Sequence, residues 1–174
     1  MQINLGCKAV IKDSLNFLGS GLDNLVQILK DEGKVNGNIQ DLFKHTYSYF
    51  NELRKTNNSL KEEDFDLLTR KNVYPYEYMD NLSKCKQRKL PKRKDFYSSL
   101  TNESITEEDY KHGQTVFEKF KCKNLGAYTD LYVITDTLLL ADVLENLRKT
   151  TFKHFELDPV YYTSLPSLVC IYFF

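Results

Sequence analysis

The sequence contains no tryptophan, and its four cysteines, Cys7, Cys85, Cys122 and Cys170, stand far apart. That spacing offers no metal-ligand or redox pair, so reduced thiols in an intracellular protein are expected. An excess charge is also missing: 24 basic residues balance 24 acidic ones, which excludes a whole-molecule field and leaves only local patches for nucleic acid. No signal peptide is present, and the longest apolar stretch is broken by Asp136 and Asp142, so no membrane span is expected. Internal repeats and low-complexity tracts are absent too. What remains is a chain of 174 residues, enough for one domain or for one domain with the start of another. It is rich in tyrosine and phenylalanine, 12 and 11, and most of these should pack.

The most informative stretch is defined by a further absence. From Asn124 to Leu147 the chain runs 24 residues without Lys or Arg, yet sets Asp136 inside the apolar segment 131–144. The segment is too long for a typical strand and has no proline, so it reads as a buried helix with Tyr132 one turn from Asp136. Positions three and four residues away hold Tyr132, Val133, Leu139 and Leu140, none of them basic. An unpaired buried carboxylate is costly, so Asp136 needs a partner from another element or a metal. Two readings follow. Asp136 accepts hydrogen bonds from a neighbouring element and Tyr132 fills the core; or Asp136 ligates a divalent metal and the Tyr132 hydroxyl orients a water for attack on phosphate.

Helices dominate the rest. Short β-favouring residues from Lys8 to Lys12 predict a strand that ends at Asp13 to Leu18. Ser20 with Asp23 predicts a capped helix carrying Leu22, Leu25, Val26 and Leu29 and stopping at Gly33. Ser59 with Glu62, and Thr106 with Asp109, predict two more starts. The last helix is expected from roughly Leu125 to Phe155, ending before Pro159. Between these, Lys84 to Lys94 holds seven basic residues in eleven and no acid, with Pro91 arguing for a loop. It is either solvated or a phosphate-contacting or nuclear-targeting loop, since like charges at this density are relieved by a polyanion. The chain opens on what reads as a strand already under way and closes on Cys170-Ile-Tyr-Phe-Phe174, so a fragment of a longer polypeptide is expected.

Five stretches together resemble one family. They are Asp13-Ser14-Leu15-Asn16-Phe17-Leu18; Lys71-Asn-Val-Tyr74-Pro-Tyr76-Glu-Tyr-Met79; Leu90-Pro91 through Phe96-Tyr97-Ser98-Ser99-Leu100-Thr101; Tyr132-Val-Ile-Thr-Asp136 through Glu145; and Leu157-Asp158-Pro159 through Pro166. In this order they are similar to the protein-primed family B DNA polymerases of the Polinton or Maverick type, carried by DNA transposons and related elements and viruses. The resemblance implies a fold that is α+β and mostly helical: a partial ribonuclease-H-like exonuclease domain over residues 1–156, with few strands, followed by the start of the polymerase palm at 157–174. It implies DNA-directed DNA synthesis with 3′–5′ proofreading by the parent enzyme.

Residue by residue, Tyr132 and Asp136 match the family's Tyr-x3-Asp block, which implies that Asp136 holds a metal (Mg2+ or Mn2+) and that Tyr132 aims the attacking water. Lys71 with Tyr74 matches Lys-x2-hydrophobic, where the lysine supports catalysis; a cation beside the scissile phosphate offsets developing negative charge. Ser14 and Leu15 match the Ser/Thr-Leu motif that touches the single-stranded primer end, and Lys92, Arg93 and Lys94 are expected to meet DNA phosphates. The family's Asp-x-Glu pair and its Asn and Asp block are not in the sequence, nor are the palm signatures. One carboxylate cannot hold two metals, so this chain by itself is expected to be inactive, with dNTPs and a priming protein engaged through other parts. The alternative expectation is a decayed transposon-derived fragment acting only as a DNA-binding or structural module, nuclear or cytoplasmic.

Overall fold

The computed structural model describes residues 2–4, 10–36 and 39–173. Strands β1 (Gln2–Asn4) and β2 (Val10–Lys12) pair antiparallel, Gln2 opposite Lys12. The strand expected from Lys8 is thus seen from Val10, Lys8 lying outside the described residues. The α-helices are α1 (Leu22–Asn36), α2 (Ile39–Leu42), α3 (Lys44–Thr56), α4 (Glu107–Lys119), α5 (Leu125–Phe155) and α6 (Leu165–Phe173). Mostly helical with few strands is what the sequence leads one to expect.

The chain divides into two compact units, Met1–Phe43 with Leu140–Phe174, and Lys44–Leu139. In the first, α1 runs past Gly33 instead of stopping there. A Cβ on Gly33 would lie 2.6 Å from Ile39 Cγ1 and 3.1 Å from Ile39 Cα. The glycine serves the close approach of α2, a use of its missing side chain that outweighs its stop signal. The Asn146 amide donates to the Leu42 carbonyl at 2.8 Å, which fastens the end of α2 to α5. Arg148 grips Asp158 with two hydrogen bonds, at 3.1 and 2.7 Å. Asp158 in turn accepts from the Val160 N–H, starting the 3-10 turn Pro159–Tyr161.

The second unit contains α3, α4, the first half of α5 and three 3-10 turns, with one isolated bridge, Ser98 to Glu103, in place of strands. The core is Phe50, Phe65, Leu68, Val116, Leu125, Tyr128, Leu131 and Leu139. Thr106 caps α4 as expected, accepting from the Asp109 N–H at 3.1 Å while its hydroxyl donates to the Asp109 carboxylate at 2.6 Å. Ser59 does not start a helix with Glu62. Its hydroxyl donates to Asn57, and the cap of the 3-10 turn Glu62–Leu67 is Asp64, which accepts from the Lys61 N–H at 2.8 Å. Asp64 also pairs with Lys119 at 3.0 Å, a contact 55 positions along the chain that local reading cannot weigh.

Helix α5 matches its expected span, but it is not buried all round. Leu125, Tyr128, Leu131, Thr135, Leu139, Asp142 and Val143 form a buried stripe at three- and four-residue spacing, while Val133 and Ile134 are exposed. Among the described residues no helix is long and apolar enough to cross a membrane.

Candidate active site around Asp136

Segment 70–76 supplies one wall of the site, and its sequence explains how it is fixed. Arg70 pairs with Glu108 and Asp109 of α4 at 3.1 and 3.2 Å. Asn72 is buried, with its Oδ1 3.1 Å from His112 Nε2 on α4. The Asn72 Oδ1 can only accept, so the imidazole Nε2–H donates. Gly113, one residue on, leaves room for Val73: a Cβ there would meet Val73 Cγ2 at 2.9 Å. From α5, the Tyr128 hydroxyl donates to the Val73 carbonyl at 2.6 Å. Pro75 removes one backbone donor that would otherwise need a partner, and it is fully buried.

Three tyrosines then meet. Tyr74 stacks on Tyr132 with ring centroids 4.9 Å apart and planes at 24°. Tyr76 stands edge-on to both, at 5.0 Å from Tyr74 and 6.2 Å from Tyr132. The Tyr74 and Thr129 hydroxyls lie 3.1 Å apart, and Thr129 already donates to the Leu125 carbonyl, so Tyr74 is the donor. The Tyr76 and Tyr132 hydroxyls are 2.6 Å apart.

One turn beyond stands the half-buried Asp136, near enough to the Tyr132 hydroxyl for each to shift the other's ionisation. Burial raises its carboxyl above the usual carboxylate range; the Tyr132 hydroxyl and the positive charge of Lys71 pull the other way without overcoming it. Lys71 is exposed, and its ammonium forms no ion pair with Asp136 among the described residues. Burial pushes the Tyr132 hydroxyl well up, with the Asp136 charge adding to it, so Tyr132 stays protonated at neutral pH. Lys71, Tyr132 and Asp136 are thus brought together in one unit, from segments about sixty residues apart in the sequence. The Tyr132 phenol on its own helix and the charge of Lys71 both act on the Asp136 carboxyl, and neither forms an ion pair with it among the described residues.

The other expected site residues stand elsewhere. Ser14 lies in the 3-10 turn Ser14–Asn16, in the other unit, on the wall of a cavity of about 670 Å³ lined also by Phe17, Leu144, Arg148, Val160 and Tyr161. The Leu15 side chain lies outside the described residues. Lys92, Arg93 and Lys94 are exposed in the Asp136 unit. The basic run is not a loose loop: it forms 3-10 turns at Leu82–Lys86 and Arg93–Phe96. Phe96 is buried edge-on against Tyr110 at 5.7 Å, and the Tyr110 hydroxyl donates to the Pro91 carbonyl at 2.9 Å. Lys84 is consumed internally, by Asp80 at 2.9 Å and by the Tyr78 ring at 4.3 Å. Lys86, Arg88, Lys89, Lys92 and Lys94 carry no ion pair among the described residues.

A divalent ion needs more than Asp136. Among the described residues no three His, Cys, Asp or Glu side chains converge on one point. The residues present therefore do not by themselves fit a two-metal centre, which takes several carboxylates. Sequence reasoning missed Tyr76, Thr129 and the His112–Asn72 pair, and it passed over Asp142, the carboxylate on α5 that is fully buried. The recurrence of Tyr128, Tyr132 and Asp136 every fourth residue was the one signal that pointed to a polar row.

No family model, no curated protein and no solved structure matches the chain.

Proposed function

We propose that this chain is part of a DNA-directed DNA polymerase of the protein-primed family B, and that its second unit belongs to the 3′–5′ proofreading exonuclease, a ribonuclease-H-like domain. The observation that carries the reading is the setting of Asp136: a half-buried carboxylate one turn from Tyr132 on α5, with the charge of Lys71 reaching it. On this reading Asp136 supplies one oxygen ligand to Mg2+ or Mn2+, and the remaining ligands come from carboxylates that the described residues do not bring together. Tyr132 holds a water by its phenol oxygen. Lys71 offsets negative charge on the scissile phosphate. The exposed cations Lys92, Arg93 and Lys94 contact the DNA backbone, and residues 157–174 lead toward the palm, where dNTPs and the priming protein act.

The test joins the chain in one polypeptide to the Asp-x-Glu, Asn/Asp and palm blocks of such a polymerase. With Mg2+ the product should shorten a single-stranded 3′ end, and Asp136→Ala should lower that rate by about 100-fold or more while nucleotide incorporation persists. Hydrolysis unchanged by the substitution would remove the assignment. The lone carboxylate and the exposed basic run favour one second reading, a DNA-binding module without hydrolysis. It would be preferred if oligonucleotides bind the chain while the completed polypeptide never cleaves them.

A further inference from the structure

We infer that a single strand of nucleic acid held at Asp136 continues along α5 to a second phosphate-contact site, formed by Lys86, Arg88, Lys89, Lys121 and Lys123 at the head of that helix. The inference rests on the DNA reading above and adds these five residues to it. Two segments bring the cations together. The Gln87 carbonyl accepts from the Leu125 N–H at 2.7 Å, which docks the basic run on the first residue of α5. Lys86, Arg88 and Lys89 adjoin one end of that bond in the chain, and Lys121 and Lys123 precede the other. All five are exposed, and none forms an ion pair among the described residues. Like charges gathered in this way repel one another, and a row of phosphates relieves the repulsion while releasing its own counterions. The helix end itself is not the attraction. The Leu125 N–H is taken by Gln87, and the Ala127 N–H by the Asn124 side chain at 2.9 Å.

The stretch that follows segment 70–76 ties this site to Asp136, and every residue concerned lies in the second unit. The Tyr78 hydroxyl donates to Gln87 Oε1 at 2.9 Å, and Tyr76, two residues earlier, meets Tyr132 with the hydroxyls 2.6 Å apart. On α5, Leu125, Thr129, Tyr132 and Asp136 follow one another at spacings of four, three and four residues, which sets them on one stripe. Leu125 and Asp136 are eleven residues apart, so at about 1.5 Å per residue the path is about 16 Å long. At about 3.4 Å for each stacked nucleotide, that distance takes roughly five nucleotides. Asp130, the exposed acid on this part of the helix, stands about 120° round the axis from Asp136, off the stripe.

The experiment is photo-cross-linking of the whole chain to oligothymidylates of about eight nucleotides, long enough to reach both sites. Each carries one 4-thiothymidine, at the 3′ end in one probe and roughly five nucleotides inward in the other. The attached peptides are identified by mass spectrometry. The 3′ label should attach within residues 71–76 or 132–136, and the inner label within residues 84–89 or 121–124. Lys86→Gln, Arg88→Gln and Lys89→Gln combined should lower the slope of log affinity against log salt by about 2. Attachment of the inner label elsewhere, attachment of neither label, or a slope that the triple variant leaves as it was, overturns the inference. Reversed polarity, with the inner label near Asp136 and the 3′ end at the head of α5, keeps the two-site path and removes the exonuclease reading, whose scissile bond lies at the 3′ terminus. A 3′ label near Asp136 with the inner label elsewhere overturns the path alone.

Discussion

Single atoms decide two positions. Thr135 is fully buried on α5, and among the described residues its hydroxyl has no hydrogen-bond partner. An orphaned buried hydroxyl costs about 1–3 kcal/mol, so Thr135→Val should raise stability by about 1 kcal/mol, seen as a higher urea midpoint with unchanged slope. Gly33 gives the opposite case. A methyl group there meets the Ile39 backbone as well as its side chain, which cannot swing away. The helix propensity of Ala would favour the substitution by about 1 kcal/mol. Overpacking costs about 1–3 kcal/mol, so Gly33→Ala should be net destabilising by up to about 2 kcal/mol in the same urea assay. A gain in stability would show that α1 and α2 part without cost.

Between elements, charge and hydrogen bonding do the fixing. Helix α4 holds segment 70–76 through His112, whose imidazole is kept below its ordinary value of 6.5, by burial first and then by the Arg70 charge, with Asp109 opposing. A depressed histidine contributes stability that is present above its unfolded value and lost as pH falls through the folded one. The protein should therefore lose stability as pH falls below the ordinary histidine value of about 6.5, and His112→Gln, which can still donate to Asn72, should flatten that part of the profile. Asp64 behaves differently. Burial pushes its carboxyl up, but the Lys61 N–H and the Lys119 ammonium together bring it below the usual range. Its contribution lies above about pH 4 and fades as pH falls further, so Asp64→Asn should cost roughly 1–3 kcal/mol at about pH 7 and little at about pH 2, read from thermal melts. These two pairs also show where sequence reading stops. Helices α4 and α5 were legible because a cap, an apolar stripe and a downstream proline are local signals. The Asp64 cap, the Tyr76–Tyr132 contact and the His112–Asn72 bond join residues 40 to 56 positions apart or depend on such a join, and no local pattern encodes them. Asp136 and Tyr132 were legible as neighbours one turn apart on a helix, while the half-exposure of Asp136 had to be seen.

For the molecule as a whole, balanced charge leaves the basic run as the surface on which a polyanion would be felt. Neutralising Lys92, Arg93 and Lys94 should weaken binding to single-stranded DNA and lower the slope of log affinity against log salt by about 2, at roughly 0.7 for each phosphate no longer neutralised. An unaltered slope would mean that these cations are merely solvated. The thiols add a chemical expectation: burial pushes Cys122 up to about 11, so it should react slowly with thiol reagents at neutral pH compared with the exposed Cys170.

The Tyr110 hydroxyl tied to Pro91, with Phe96 tucked against the same ring, has a thermodynamic corollary. Because folding already restrains the backbone beneath Lys92, Arg93 and Lys94, a bound strand would find that part of the ordering done, and mainly the lysine and arginine side chains would have freedom left to lose. Tyr110→Phe should leave the number of ions displaced unchanged and make the calorimetric entropy of association less favourable.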